Sequence, residues 1–305
     1  MTKYLVKKVF ISVLTLWIVA TATFFLMFMV PGGPFLAEKS PTEATIAALN
    51  EKYGLDQPKH IQYKNYFVKM FHGDMGPSMK QRGREVSDII TAGFKVSARI
   101  GGLSIILAVM LGVPFGSIAA LKRGKWQDSV ILLVSTTGIA VPSFVVATVL
   151  MMLLSVKLNL LPTYGLTSWK HYIMPVMSLS FYPTAYITRL MRSSMLEVLG
   201  QDYIRTAKAK GLSMFSILFK HALRNAVLPV VTYLGPLLAY TLTGSFIVEK
   251  IFTVPGLGNY FISSILNRDY TMIMGTTIFL ATLIITMNFI VDVVYKLVDP
   301  RIKYK

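Results

Sequence analysis

The residues between Asp202 and Pro229 carry the most specific chemical pattern in this chain, and it is a pattern for binding. Asp202 begins a run of good helix formers, and its carboxylate suits the positive end of a helix dipole. Gly211 is placed to end this helix in a left-handed conformation, and Ser213 can cap a second helix. The second helix is predicted to carry an apolar stripe made of Phe215, Leu218, Phe219, Ala222 and Leu223. We call this predicted helix–glycine–helix segment, residues 202–229, the elbow.

Two interpretations of the elbow follow from its physics, and the residues alone leave both open. A rigid segment that is basic on one side and apolar on the other can fit a groove on a partner protein. The same pattern is typical of an amphipathic hairpin that lies on a lipid surface.

Groups that would support catalysis or metal binding are sparse. Cysteine is absent, which excludes disulfides and thiolate metal sites. The four histidines are scattered, and no pair has the helical spacing of metal ligands. No nucleophile–base pair stands out, and no G-x-x-x-x-G-K-[ST] segment is present to hold phosphates. We therefore predict that the chain is not an enzyme and that it binds no metal and no cofactor itself.

The composition around these residues indicates lipid as the solvent. Hydrophobic residues make up 54% of the 305 residues and charged residues only 15%, whereas soluble domains carry about 25% charged residues. A net charge of +17 would suggest nucleic acid as the partner of a soluble protein. In an apolar chain it favours a multi-pass cell-membrane protein whose Lys and Arg side chains face anionic lipid, with no nucleic acid partner.

The elements that must position the elbow are predicted to be membrane-spanning helices. A span needs about 20 mostly apolar residues, and six segments built around stretches without Asp, Glu, Lys or Arg supply them. The predicted spans of this all-α polytopic fold are residues 9–30, 100–121, 130–155, 171–189, 227–248 and 271–293. The first is too long for a signal peptide, and Pro31 and Pro34 follow it where a cleavage site would lie.

The distribution of Lys and Arg predicts the orientation of these spans. Basic residues concentrate near the N-terminus, between spans two and three, between spans four and five, and in the C-terminal tail. Both termini and the loop 196–228, which contains most of the elbow, are therefore predicted to be cytoplasmic. Residues 38–97 are predicted to form an external helical loop, with Ser40 as a helix cap and Gly54 as a helix end. A solvated linker is the alternative for that loop.

The elbow resembles the conserved cytoplasmic loop of importer permeases of the ATP-binding cassette class. Residues 202–212 read D-Y-I-R-T-A-K-A-K-G-L, and residues 221–229 read H-A-L-R-N-A-V-L-P. Arg205 and Thr206 depart from the E-A-A pattern of the class, and the spacer after Gly211 is longer. Both departures are shared by the peptide and nickel branch, and the resemblance, closest to oligopeptide permeases, covers nearly the whole chain.

The resemblance implies a type I importer permease fold and a set of partners. These are a second homologous permease, two cytoplasmic ATPases that bind ATP and Mg²⁺, and an external peptide-binding protein. The chain would form half of the pathway for an oligopeptide, with a dipeptide or nickel importer as the alternative. The residues implied for coupling to the ATPases are Asp202, Tyr203, Arg205, Thr206, Ala207, Lys210, Gly211, His221, Asn225 and Pro229.

Two further groups of residues are candidates for the pathway and its outer gate. Hydroxyl-bearing and aromatic side chains without fixed charge suit a peptide whose side chains vary. The pathway candidates are Tyr182, Tyr186, Thr232, Tyr240, Thr241 and Ser245. Pro255, Gly256 and Gly258 indicate a bend that could belong to an external gate. The alternatives are that the hydroxyl groups join helices to one another and that the bend is a simple tight turn.

Two other mechanisms compete with an ATP-driven importer. Proton-coupled transporters usually place carboxylates or histidines within the membrane, and the one carboxylate at a predicted span here is Asp292, at the cytoplasmic end of the sixth. A membrane scaffold could use the elbow to hold a partner without transporting anything. It would not need the predicted fourth span, which Pro175 and Pro183 break.

Overall fold

A computed structural model of the chain describes residues 2–29, 32–35 and 42–298, and over these ranges the secondary structure is helical with no strand. One isolated antiparallel bridge joins Pro77 and Glu85. Pro31, Ser40 and the basic tail after Val298 lie outside the described residues.

The helices are bounded as follows in chain order. They are α1 (Thr2–Met29), α2 (Glu43–Tyr53), α3 (Lys59–Phe71), α4 (Val86–Leu121), α5 (Trp126–Ala140), α6 (Ser143–Leu150), α7 (Lys170–Leu199), α8 (Asp202–Ala209), α9 (Met214–Ser216), α10 (Leu223–Ala226), α11 (Leu228–Leu242), α12 (Phe246–Ile251), α13 (Leu257–Asn267) and α14 (Tyr270–Val298). Two π-helical segments, Met151–Lys157 and Ile217–Ala222, interrupt them.

Within the described residues, three helical stretches are long and apolar enough to cross a membrane. They are Val6–Met29 in α1, Val86–Leu121 in α4 and Tyr270–Asp292 in α14. The number rises to at most five if each of two bent helix pairs is one span, namely Trp126–Ala140 with Ser143–Lys157 and Met214–Ala226 with Leu228–Leu242. Helix α7 covers the predicted fourth span but is not in this set, since arginines, prolines and hydroxyl groups recur along it.

The predicted third span is not one straight helix. Helices α5 and α6 meet at an angle of 104°. Pro142 lies at this break, where its ring fixes φ at −61° and Val141 before it adopts an extended conformation. A proline supplies no backbone N–H and disfavours helical geometry in the preceding residue, so the helix ends there.

The chain divides into two compact units. The first contains the residues up to Ser97 together with Pro255–Thr286. In this unit α2 begins after Thr42, whose hydroxyl accepts the N–H of Thr45 at 3.3 Å. The helix cap is therefore Thr42, and the prediction of Ser40 was wrong, because the Thr42 oxygen already satisfies the exposed N–H group of the first turn.

A buried carboxylate joins two segments of the first unit. Asp269 is only 2% exposed and accepts a hydrogen bond from the Ser78 hydroxyl. It also accepts the backbone N–H groups of Met79 at 3.2 Å, Lys80 at 3.3 Å and Met272 at 3.2 Å. These bonds tie the start of α14 to the loop before α4, and they satisfy a charge that would be costly to bury alone.

The second unit contains Ala98–Val254 together with the last part of α14 from Met287, and α7 packs against several of its helices. Two glycines allow other helices to approach α7 closely. A Cβ on Gly116 of α4 would lie 2.5 Å from the carbonyl oxygen of Thr188, and one on Gly138 of α5 would lie 2.7 Å from Ala185. Small residues at helix contacts are a common basis of tight association in membrane proteins.

Candidate functional site

The first arm of the elbow is α8, and it ends where the sequence places its glycine. Lys210 is the last residue before the turn, and Gly211 has φ of 75°. Nothing lies within 4 Å of a Cβ built on Gly211. The left-handed backbone, and not crowding, is therefore what favours glycine at this position.

The second arm differs from the single regular helix that the apolar pattern predicts. Ser213 caps α9 by accepting the N–H of Ser216 at 3.3 Å. The chain then enters the π-helical segment Ile217–Ala222, which contains His221, before α10. A π-helical turn is wider than an α-helical turn and changes the angular spacing of side chains.

Because the π-helical turn changes the angular spacing of side chains, the residues of the predicted apolar stripe do not all lie on one face of the second arm. Ala222 is fully buried, whereas Phe215 and Phe219 are 71% and 56% exposed. The two phenyl rings lie against each other with centroids 4.4 Å apart. The prediction of a continuous stripe was therefore wrong, and part of it forms an exposed aromatic pair.

The inner faces of both arms belong to the core of the second unit. Ile204 and Ala207 of α8 are buried with Ile217 of the second arm. They pack in one cluster with Met191 and Met195 of α7. The helix that precedes the elbow and the elbow itself thus share one apolar core, and Ala207 is a core residue and not part of the exposed face.

A direct hydrogen bond joins the two arms. The side-chain amide of Asn225 donates to the Tyr203 hydroxyl at 2.9 Å, and the same amide lies 3.5 Å from the carbonyl oxygen of His221. Asn225 and Tyr203 were both predicted as site residues, and the structure brings them together. Pro229 is the second residue of α11, in the first turn, where backbone N–H groups have no partner within the helix.

The outer face of the elbow combines charge with exposed apolar groups. Arg205 lies 3.4 Å from Asp202 in an exposed ion pair, and Thr206 donates to the Asp202 carbonyl oxygen at 3.0 Å. Lys208 and Lys210 are exposed on the same arm. The exposed apolar side chains are Leu212, Met214, Phe215 and Phe219. Such an apolar patch with a polar rim is typical of a surface that another protein covers.

Sequence reasoning missed a buried ion pair between α5 and α7, the helix that precedes the elbow. The guanidinium of Arg192 in α7 donates to both carboxylate oxygens of Asp128 in α5, at 2.7 and 2.8 Å. Asp128 also accepts the N–H of Gly124 at 3.0 Å. These residues are 64 positions apart in sequence, and no local pattern around either of them pointed to the contact.

Four of the six pathway candidates line one cavity of about 640 Å³ in the second unit. They are Tyr182, Tyr240, Thr241 and Ser245. Tyr186 stacks on Tyr182, with ring centroids 6.3 Å apart. The sixth candidate, Thr232, is not in the cavity wall, and its hydroxyl donates to the carbonyl oxygen of Leu228 at 3.0 Å.

The gate candidates lie at the start of α13 in the first unit. Pro255 is exposed, whereas Gly256 and Gly258 are buried. The N–H of Leu257 donates to the Ser97 hydroxyl at 2.8 Å, which anchors this helix start. Among the residues that the structure describes, no group of three or more His, Cys, Asp or Glu is arranged to hold a metal ion.

Comparison with known proteins gives matches along the whole chain. The family described as binding-protein-dependent transport system inner membrane component matches residues 112–304, and its N-terminal counterpart matches residues 1–85. The dipeptide transport system permease protein DppB of Bacillus subtilis is 46% identical over 99% of this chain and 98% of its own length. The oligopeptide transport system permease protein OppB of Haemophilus influenzae is 42% identical over the full length of both chains, and that of Escherichia coli is 41% identical over the same extent.

Proposed function

The chain belongs to the family of binding-protein-dependent transport system inner membrane components, and from this premise we propose that it is a permease subunit of an ATP-driven peptide importer. The observation that carries the proposal is the similarity, over the full chain, to permeases of peptide transport systems. The chemistry of the elbow and of the cavity agrees with that role.

The elbow is the part of the chain that receives work from ATP hydrolysis. The sequence has no phosphate-binding loop of its own, so ATP and Mg²⁺ are bound by two separate cytoplasmic ATPase subunits. The exposed face with Lys208, Lys210, Phe215 and Phe219 docks into a groove on one of them. Closure of the ATPases then moves the elbow, and the shared core passes this motion to α7.

The transport pathway is formed together with a second, homologous permease. The chain crosses the membrane six times in a type I importer arrangement with both termini in the cytoplasm. Helix α7 supplies the fourth crossing, and the bent pairs supply the third and fifth. Alternating access follows from rigid-body motion of these helices around the pathway.

An external binding protein delivers the peptide to the outer side, which carries α2, α3 and the start of α13. Relatives named for dipeptides and for oligopeptides have similar identities, 46% and 42%. Peptides of both lengths are therefore candidate substrates.

The test is uptake by proteoliposomes that contain the complex purified through this chain, with ATP inside or outside the vesicle. Labelled dipeptides and pentapeptides are supplied with the binding protein. ATP-dependent accumulation supports the importer, and the length that accumulates faster identifies the substrate. Co-purified ATPase activity without movement of any peptide would contradict peptide import, and Ni²⁺ uptake in the same vesicles would identify the alternative cargo.

A further inference from the structure

The cavity of about 640 Å³ lies where α5 and α6 bend by 104°. Its walls come from the bend, from the middle of α7 and from α11 between Tyr233 and Thr241 with the residues that follow it. Ligand sites for small molecules usually have volumes of about 300–1,000 Å³. The space is therefore large enough to hold a peptide side chain together with its backbone.

The chemistry of the walls is uniformly uncharged. No described residue that lines the cavity is Asp, Glu, Lys, Arg or His. The hydroxyls of Tyr182 and Tyr240 have no hydrogen-bond partner among the described residues. The hydroxyl of Thr241 already donates to the carbonyl oxygen of Leu237 at 2.6 Å. A charged side chain that entered this space would lose water without gaining a counter-ion, which is costly.

Aromatic rings form one side of the cavity and continue beyond it. Tyr182 and Tyr233 line the cavity, and the ring of Tyr186 packs against both of them. The rings of Tyr186 and Tyr233 have centroids 4.3 Å apart, and those of Tyr182 and Tyr186 lie at an angle of 22°. Such a surface offers large apolar contacts and favours aromatic partners by ring–ring interaction.

Three prolines face the same space, one from each wall: Pro142, Pro183 and Pro236. A proline in a helix lacks the N–H that would bond to the carbonyl four residues earlier. For Pro183 that carbonyl belongs to Leu179, which also lines the cavity. Freed carbonyl groups within a membrane need donors from water, from neighbouring helices or from a ligand. The N–H groups of a peptide are such donors.

We propose that this cavity is a side-chain subsite within the permease, which accepts an uncharged side chain of the passing peptide and prefers an apolar or aromatic one. The inference rests on the proposed peptide import and adds that the permease itself discriminates between substrates. Tyr182, Tyr233 and Tyr240 contact the side chain, while the Leu179 carbonyl oxygen opposite Pro183 accepts an N–H group of the peptide backbone.

The experiment uses the reconstituted complex and tripeptides that carry alanine at both ends and one variable residue in the middle. Rates are measured at saturating binding protein loaded with each peptide, so that delivery is equal. Peptides with Phe or Leu in the middle are expected to move about tenfold faster than those with Glu or Lys. Equal rates for all four peptides, with ATP-dependent uptake intact, would overturn the subsite and leave the importer standing.

A variant supplies the second arm of the test. Ser143 lines the cavity at the first position of α6, where a carboxylate suits the helix dipole. Ser143→Asp is expected to raise the transport rate of the Lys peptide relative to that of the Glu peptide by about tenfold. Ser143→Asn introduces an uncharged side chain of the same shape as aspartate and is expected to leave that ratio as in the parent chain. An unchanged Lys-to-Glu ratio in Ser143→Asp would contradict the subsite.

A photoreactive benzophenone derivative of Phe in the middle position gives a readout that needs no variant. We expect the label on cavity residues of α7 or α11 during ATP-driven transport. Label confined to other helices would overturn the subsite. Absence of any ATP-dependent uptake would instead contradict the proposed function, and the subsite with it.

Discussion

The side-chain amide of Asn225 donates a hydrogen bond of 2.9 Å to the hydroxyl of Tyr203, and this bond links the two arms of the elbow. The arms also share a core through Ile204 and Ile217. The elbow is therefore held at a fixed angle by one polar contact on its surface and apolar contacts beneath. A fixed angle is what a segment needs if it is to transmit motion from a partner.

Removal of the bond between the arms should loosen the elbow without unfolding the protein. Tyr203→Phe keeps the ring and deletes only the acceptor, at a cost of about 0.5–1 kcal/mol for a partly exposed bond. Backbone amides of residues 203–212 should exchange hydrogen faster, and transport per ATP hydrolysed should fall. Tyr164→Phe, on an exposed tyrosine outside the elbow, is the control and should change neither quantity. Unchanged exchange in Tyr203→Phe would show that the bond does not hold the arms.

Replacement of Gly211 tests the left-handed turn between the arms. Its φ of 75° disfavours side chains, most strongly β-branched ones, so Gly211→Val should destabilise the turn by about 2 kcal/mol. We expect normal insertion into the membrane, loss of ATPase association and loss of transport.

Gly211→Asn is the matched variant, because asparagine tolerates the left-handed region better than other residues. It should retain much of the coupling that Gly211→Val loses. Equal loss in both variants, measured as ATPase co-purification, would mean that the glycine matters for a reason other than its backbone angle.

The ion pair between Asp128 and Arg192 should be costly to break on one side only. Their side chains are 6% and 21% exposed, so Arg192→Met leaves a buried carboxylate without its cation, at a cost of about 3 kcal/mol. The midpoint of thermal unfolding in detergent should fall clearly, and Asp128→Asn added to Arg192→Met should recover part of the loss. Arg189→Met, on an exposed arginine of the same helix, should have little effect. Equal unfolding midpoints for Arg192→Met and Arg189→Met would contradict a structural role of the pair.

Contact between α4 and α7 depends on the absence of a side chain at Gly116. A methyl group there would meet the carbonyl oxygen of Thr188, so Gly116→Ala should destabilise the protein by about 1–3 kcal/mol through overpacking. Gly102→Ala in the same helix meets no atom within 4 Å and should be neutral or stabilising. Thermal unfolding of the two variants in the same detergent measures the difference, and equal midpoints would contradict close packing at Gly116.

Local patterns made parts of this structure predictable, whereas contacts distant in sequence were not. Apolar runs without charge indicated α1, α4 and α14, and Gly211 marked the turn of the elbow from its residue type alone. The π-helical segment after Ser216 was not predicted, because the apolar spacing of this arm also fits a regular α-helix. The Asp128–Arg192 pair was missed for a similar reason, since packing of α5 on α7 brings those residues together.

The most direct test of the central claim asks what the elbow touches in the assembled complex. The chain contains no cysteine, so Lys208→Cys on the exposed face of α8 provides a single attachment point for a benzophenone–maleimide label. Asp74→Cys, in the loop that we assign to the opposite side of the membrane, is the matched control. After illumination of the purified complex, the label at position 208 should cross-link to an ATPase subunit and the label at position 74 should not. Attachment of the position 208 label to lipid alone, or equal cross-linking from both positions, would contradict the elbow as the ATPase docking site.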